Sequence, residues 1–101
     1  MASGEDYLGH VLDLLREVPE VTYRKMMGEY LLYASGKLFG GIYDDRLLVK
    51  DVPAARAVLT TLELPYEGSK PMLVVDIEDA EGVAALVEAM LLELPEPKRR
   101  R

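Results

Sequence analysis

Few residues of this chain have types and spacing that could do chemistry. His10 is the only histidine, and there is no cysteine. A general base or metal ligand needs partners at defined spacing, and none accompanies His10, which therefore reads as a surface or boundary residue of a helix. Without cysteine there is no thiolate nucleophile, disulfide or thiolate metal site, a usage that fits a reducing cytoplasm. Ser3, Ser35 and Ser69 fall in the N-terminus, a turn and a loop, outside the G-x-S-x-G context that exposes a nucleophile. The acidic pairs Asp44-Asp45 and Glu78-Asp79 lack the oxygen-ligand spacing of a calcium loop and read as a turn and a helix cap. The expectation is a protein that is not an enzyme and holds no metal or cofactor.

Binding chemistry is better represented. Gly68-Ser69-Lys70 could offer backbone N–H groups and an ammonium to an anion, but lacks the strand and helix of a P-loop, so an ordinary loop is expected. Tyr23, Tyr30, Tyr33 and Tyr43 recur along successive extended segments, and on one face they would form an aromatic surface with polar tips. Such surfaces stack single-stranded bases when cations surround them; here the surroundings are acidic, which favours sheet packing or a protein interface. Met26-Met27, Met72 and Met90 stand at strand and helix spacing and are expected in the core.

Charge divides the chain. Twelve Lys and Arg against eighteen Asp and Glu give a net charge of −6 over 101 residues, and Lys98, Arg99, Arg100 and Arg101 hold four of those cations. The remainder is strongly acidic and repels a phosphate backbone. The four-cation end could hold phosphates weakly and without sequence preference, with a salt slope of at most about 3 to 4. DNA is thus a secondary candidate partner, reached through this tail.

The elements that must position these residues follow from periodicity. Tyr7, Leu8, Val11, Leu12, Leu14, Leu15 and Val18 predict an amphipathic helix from Glu5 to Val18, with Ser3 as its N-cap and Pro19 as its stop. Strands are predicted over Val21–Met27, Tyr30–Ala34, Lys37–Tyr43 and Arg46–Lys50, with turns at Ser35-Gly36 and Asp44-Asp45 and a bulge or close backbone approach at Gly40-Gly41. Pro53 opens a second helix over Ala54–Leu62 with Ala55, Val58, Leu59 and Leu62 on one side. Met72–Ile77 is an apolar run suited to a covered strand, and Asp79 caps a last helix bearing Val83, Leu86, Val87, Met90, Leu91 and Leu94. The order α-β-β-β-β-α-β-α predicts a two-layer α+β domain: an antiparallel sheet of about five strands with helices packed on it. Residues 1–4 read as a flexible start, 5–94 as one domain and 95–101 as a disordered basic tail. No apolar stretch reaches about 18 residues, which predicts no membrane span, and the acidic N-terminal region does not read as a signal peptide.

Arg24-Lys25-Met26-Met27-Gly28, Tyr30, Leu32-Tyr33, Gly36-Lys37, Phe39-Gly40, Ile42, Asp45 and Leu47 to Lys50, with Tyr66-Glu67-Gly68-Ser69-Lys70-Pro71-Met72 further on, resemble the signature of the TfoX/Sxy N-terminal domain family, here as a stand-alone N-terminal domain. The resemblance implies a secretion-chaperone-like α+β fold. It also implies a non-enzymatic protein-interaction role, as in the competence regulators, where the family acts as a transcriptional co-activator with the cyclic-AMP receptor protein. A protein partner or homodimer is expected. Within the matching positions Arg24, Lys50, Lys70, Tyr33 and Tyr43 are the candidate interaction residues. The three cations need either an internal carboxylate, such as Asp45 or Asp76, or an anionic ligand, and an internal pair is expected.

Overall fold

A computed structural model describes residues 4–95. The elements run α1 (Glu5–Leu14), β1 (Val21–Met26), β2 (Glu29–Ala34), β3 (Lys37–Ile42), β4 (Leu47–Val49), α2 (Pro53–Arg56), β5 (Leu62–Glu63), β6 (Met72–Val74) and α3 (Ala80–Leu91). The six strands form one sheet in the order β1-β2-β3-β4-β6-β5, with all neighbours antiparallel. This is the expected α+β class with one strand more than anticipated. The extra strand is β5, whose two exposed residues carry no periodic signal.

The meander is built by three tight turns. Met27-Gly28, Ser35-Gly36 and Asp44-Asp45 each place two successive residues at positive φ. That is the requirement of type I′ hairpins, whose twist matches the flanking strands. Two of the three turns carry glycine second, where the left-handed conformation has no Cβ cost. Met27 has φ 53° and is 96% exposed, so its side chain gains nothing from the core while the turn disfavours it. Met27→Gly is expected to raise stability by about 1 kcal/mol, read by urea unfolding.

The helices cover one face of the sheet. Tyr30, Leu32 and Ala34 of β2, Phe39 and Ile42 of β3, Leu47 and Val49 of β4 and Leu73 of β6 point into the core, where they meet Leu8, Val11 and Leu15 from the first helix and its cap and Val83, Leu86, Val87 and Met90 of α3. Asp79 caps α3 by accepting from the Gly82 N–H at 2.7 Å. The N-cap of α1 is Gly4, with no side-chain cap bond, and not the expected Ser3, which lies outside the described residues. That helix ends four residues before Val18, yet Val18 remains buried in the turns that follow.

The second predicted helix shrinks to one turn. Ala55 and Leu59 are buried whereas Val58 and Leu62 are exposed, so the chain departs from helical phase after Arg56.

The irregularity expected at Gly40-Gly41 is present. Leu32 pairs with Gly40 and Tyr33 with Leu38, so Phe39 is the extra residue of a bulge in β3 and turns into the core, fully buried.

Candidate functional site

The bulge and the two glycines shape the sheet's second face, opposite the helices. Strand alternation puts Leu31 and Tyr33 on this face, and Gly41 lies beside Leu31. The Tyr43 ring folds back over Gly41: a Cβ there would stand 2.7 Å from the ring and 2.6 Å from the Tyr30 carbonyl oxygen. Burial pushes the Tyr43 hydroxyl up from its ordinary pKa, helped by Tyr66, Glu29 and Tyr33 nearby, so it remains a protonated donor at neutral pH.

Beside Tyr43 a cavity of about 490 Å³ opens between the β3–β4 end and the loop after β5, lined among others by Leu38, Lys50, Tyr66, Lys70 and Met72. Tyr43 and Tyr66 stand with ring centroids 6.4 Å apart. The loop is shaped by the Ser69 hydroxyl, which donates to the Tyr66 carbonyl at 2.7 Å. It is anchored by Arg46, whose guanidinium pairs with Glu63 and donates to the carbonyls of Tyr43 at 3.1 Å and Leu64 at 3.3 Å. Arg46 thus ties the two halves of the cavity wall together, a role its position in the sequence did not signal.

Of the residues singled out from sequence, the structure brings Tyr43, Lys50 and Lys70 to this cavity. Tyr33 shares the face, near enough to act on Tyr43. Arg24 lies apart on β1. The four tyrosines do not share one face. Tyr30 is buried on the helix side with Tyr23 against it edge to face at 5.8 Å, while Tyr33 and Tyr43 lie on the other.

The internal ion pairs expected for Arg24, Lys50 and Lys70 are not formed: among the described residues none of these three cations, nor Lys25, has a carboxylate within 4.0 Å. Asp51 at the cavity is taken by Arg56, at 2.6 and 2.8 Å, and this bidentate hydrogen bonding holds the Asp51 carboxyl below its ordinary pKa.

A second cleft of about 500 Å³ lies between α1 and the segment after β6, lined by Tyr7, His10, Asp76 and Glu78 among others. His10 is exposed there, its ring 5.8 Å from that of Tyr7. No cluster of three His, Cys, Asp or Glu able to hold a metal occurs among the described residues.

At the opposite end of the sheet, β1 is an edge strand with five of its six residues exposed. The methionines at its tip were expected in the core. Instead Met26 is 47% and Met27 96% exposed, because Met26 pairs with Glu29 on the face of Leu31 and Tyr33 that no helix covers, and Met27 stands in the turn; Met90 alone of the four is fully buried. The Ser35 N–H donates to the Glu20 carbonyl at 3.1 Å, which fixes the alternation of the β1–β2 ladder. Thr22, Arg24 and Met26 therefore bond to β2, and Val21, Tyr23 and Lys25 direct their backbone groups outward from the open edge. The basic tail Lys98–Arg101 lies outside the described residues.

Six antiparallel strands with one face under helices, closed by three tight hairpin turns, define a small α+β domain with an open sheet edge and a lysine-lined cavity on its uncovered face. The sequence over residues 13–75 matches the family model of the TfoX N-terminal domain. A Spirochaeta aurantia protein, described as an uncharacterized 12.7 kDa protein in the trpE 5′ region, is 33% identical over 105 aligned residues that span 100% of this chain and 91% of that protein. The chain belongs to the TfoX N-terminal domain family. No helix among the described residues is long and apolar enough to cross a membrane.

Proposed function

We propose that this domain is a non-enzymatic, cytoplasmic protein-interaction module that binds an extended, acidic segment of another protein along the free edge of β1. The observation that carries this reading is the state of β1: a six-residue strand at the sheet edge, bearing Tyr23 and Met26 exposed at its surface and Met27 at its tip. Added strands satisfy such an edge through main-chain hydrogen bonds and take their specificity from alternate side chains. The side chains here are Arg24 and Lys25, without carboxylate partners among the described residues, which select acidic residues on the incoming strand. A second copy of the chain is a poorer occupant, because its β1 strand brings two more cations and no carboxylate to answer Arg24 and Lys25. Action in transcription, as the family resemblance implies, would follow from recruiting such a partner.

The test uses the full chain and a library of displayed extended peptides. Selected peptides are expected to be acidic and rich in β-branched residues, and to lose about tenfold or more in affinity for Tyr23→Pro. That substitution removes an outward N–H without breaking the ladder to β2. Selected peptides that bind Tyr23→Pro as well as the native chain would overturn the reading.

A further inference from the structure

The geometry points to a binding site for a small aromatic anion, one flat ring bearing a phosphate or carboxylate, in the cavity between Tyr43, Tyr66, Lys50 and Lys70. This site is independent of the β1 edge and rests on three features of the uncovered face.

The first is electrostatic. Outside the terminal Lys98–Arg101 run the chain has eight of its twelve cations against eighteen carboxylates, and two of those eight line this one cavity. Neither Lys50 nor Lys70 has a carboxylate within 4.0 Å among the described residues. The acidic side chain in the lining, Asp51, already accepts from two nitrogens of Arg56, Nε and Nη2, at 2.6 and 2.8 Å. An anion in this cavity gains attraction from both ammoniums, neither of which is already paired with a carboxylate.

The second feature is shape. A volume of about 490 Å³ lies within the range of small-molecule sites. The Tyr43 and Tyr66 rings, 6.4 Å apart and inclined at 53°, form one wall with Leu38 and Met72 beside them. Such a wall takes the face or edge of a flat ring, and a bare inorganic ion would leave it unused.

The third is construction. Tyr43 is laid over Gly41, whose missing side chain leaves its ring room, and Arg46 and Ser69 hold the opposing loop through hydrogen bonds to the Leu64 and Tyr66 carbonyls, Arg46 also bonding the Tyr43 carbonyl. The Tyr43 ring and the loop backbone are therefore placed before any ligand arrives, which lowers the ordering cost of binding, and the exposed Tyr66 ring is left to close on the ligand. The Tyr43 hydroxyl, protonated at neutral pH, adds a donor suited to an anion's oxygen.

The experiment titrates the 15N-labelled full chain with phenyl phosphate, benzoate, inorganic phosphate and benzyl alcohol, following amide shifts. Phenyl phosphate or benzoate is expected to saturate the shifts of Tyr43, Lys50, Ser69 and Lys70, and to bind at least about tenfold more tightly than inorganic phosphate or benzyl alcohol. Whichever of the two aromatic anions binds more tightly identifies the anionic group. Lys50→Met and Lys70→Met should each weaken binding about tenfold, the loss of one charge-assisted hydrogen bond, while Arg16→Gln in the turn after α1 should leave it unchanged. No saturation by roughly 10 mM of either aromatic anion, or equal binding of benzyl alcohol, would overturn the assignment. So would shifts that saturate only outside this cavity, or binding indifferent to both lysine substitutions.

Discussion

Replacing Gly40 by alanine is expected to cost at least about 3 kcal/mol and, on a domain of ordinary marginal stability, to leave much of the chain unfolded. A Cβ at Gly40 would stand 2.2 Å from the Leu48 carbonyl oxygen and 2.9 Å from the Val49 Cα, both backbone atoms of β4. No side chain can swing aside to make room. β4 is held between β3 and β6, so it can retreat only by giving up its hydrogen bonds to one of them. Gly41→Ala provides the contrast. Its Cβ would meet one backbone atom, the Tyr30 carbonyl oxygen at 2.6 Å, a milder clash than the two at Gly40, and the Tyr43 ring, which can rotate. Urea unfolding should therefore show the larger loss for Gly40→Ala, and Gly41→Ala should show a displaced Tyr43 in its aromatic NMR signals.

The second large effect is at Phe39. It is the only phenylalanine, it is fully buried, and the bulge exists to turn it inward. Phe39→Ala removes that ring from the centre of the core and is expected to cost about 3 to 5 kcal/mol, with the residual cavity adding to the lost burial. Phe39→Leu, which keeps most of the volume, should cost clearly less. Its backbone carbonyl accepts from the Lys50 N–H at 2.9 Å, so the bulge also fixes the start of the strand exit that carries Lys50 to the cavity. Disturbing Phe39 should broaden the Lys50 amide signal along with those of the core.

What could be read from the sequence was whatever local chemistry decides. The i, i+3, i+4 pattern from Val83 to Leu94 and the Asp79 cap were enough for α3, since burial and capping act within a few residues of one another. The meander was legible through its turn residues, and Gly40-Gly41 announced the bulge. β5 was not legible: Leu62 and Glu63 are exposed and become a strand only because β6, ten residues further on, offers an edge. Met26 and Met27 look like core residues by type. Their exposure depends on which face of the sheet the helices cover and on where the turn falls, and residue type alone encodes neither. The candidate residues Tyr43, Lys50 and Lys70 were identified singly, but their meeting depends on the loop that Arg46 anchors and on the ring folding over Gly41.

The central claim, that the β1 edge accepts an added strand, is tested most directly by residue-resolved amide hydrogen exchange on the full chain with and without a selected acidic peptide. Strand addition predicts an alternating signature: slowed exchange at Val21, Tyr23 and Lys25, whose N–H groups face outward, with little change at Thr22 and Arg24, which already bond to β2. Protection elsewhere on the domain with the three outward amides unchanged would contradict it.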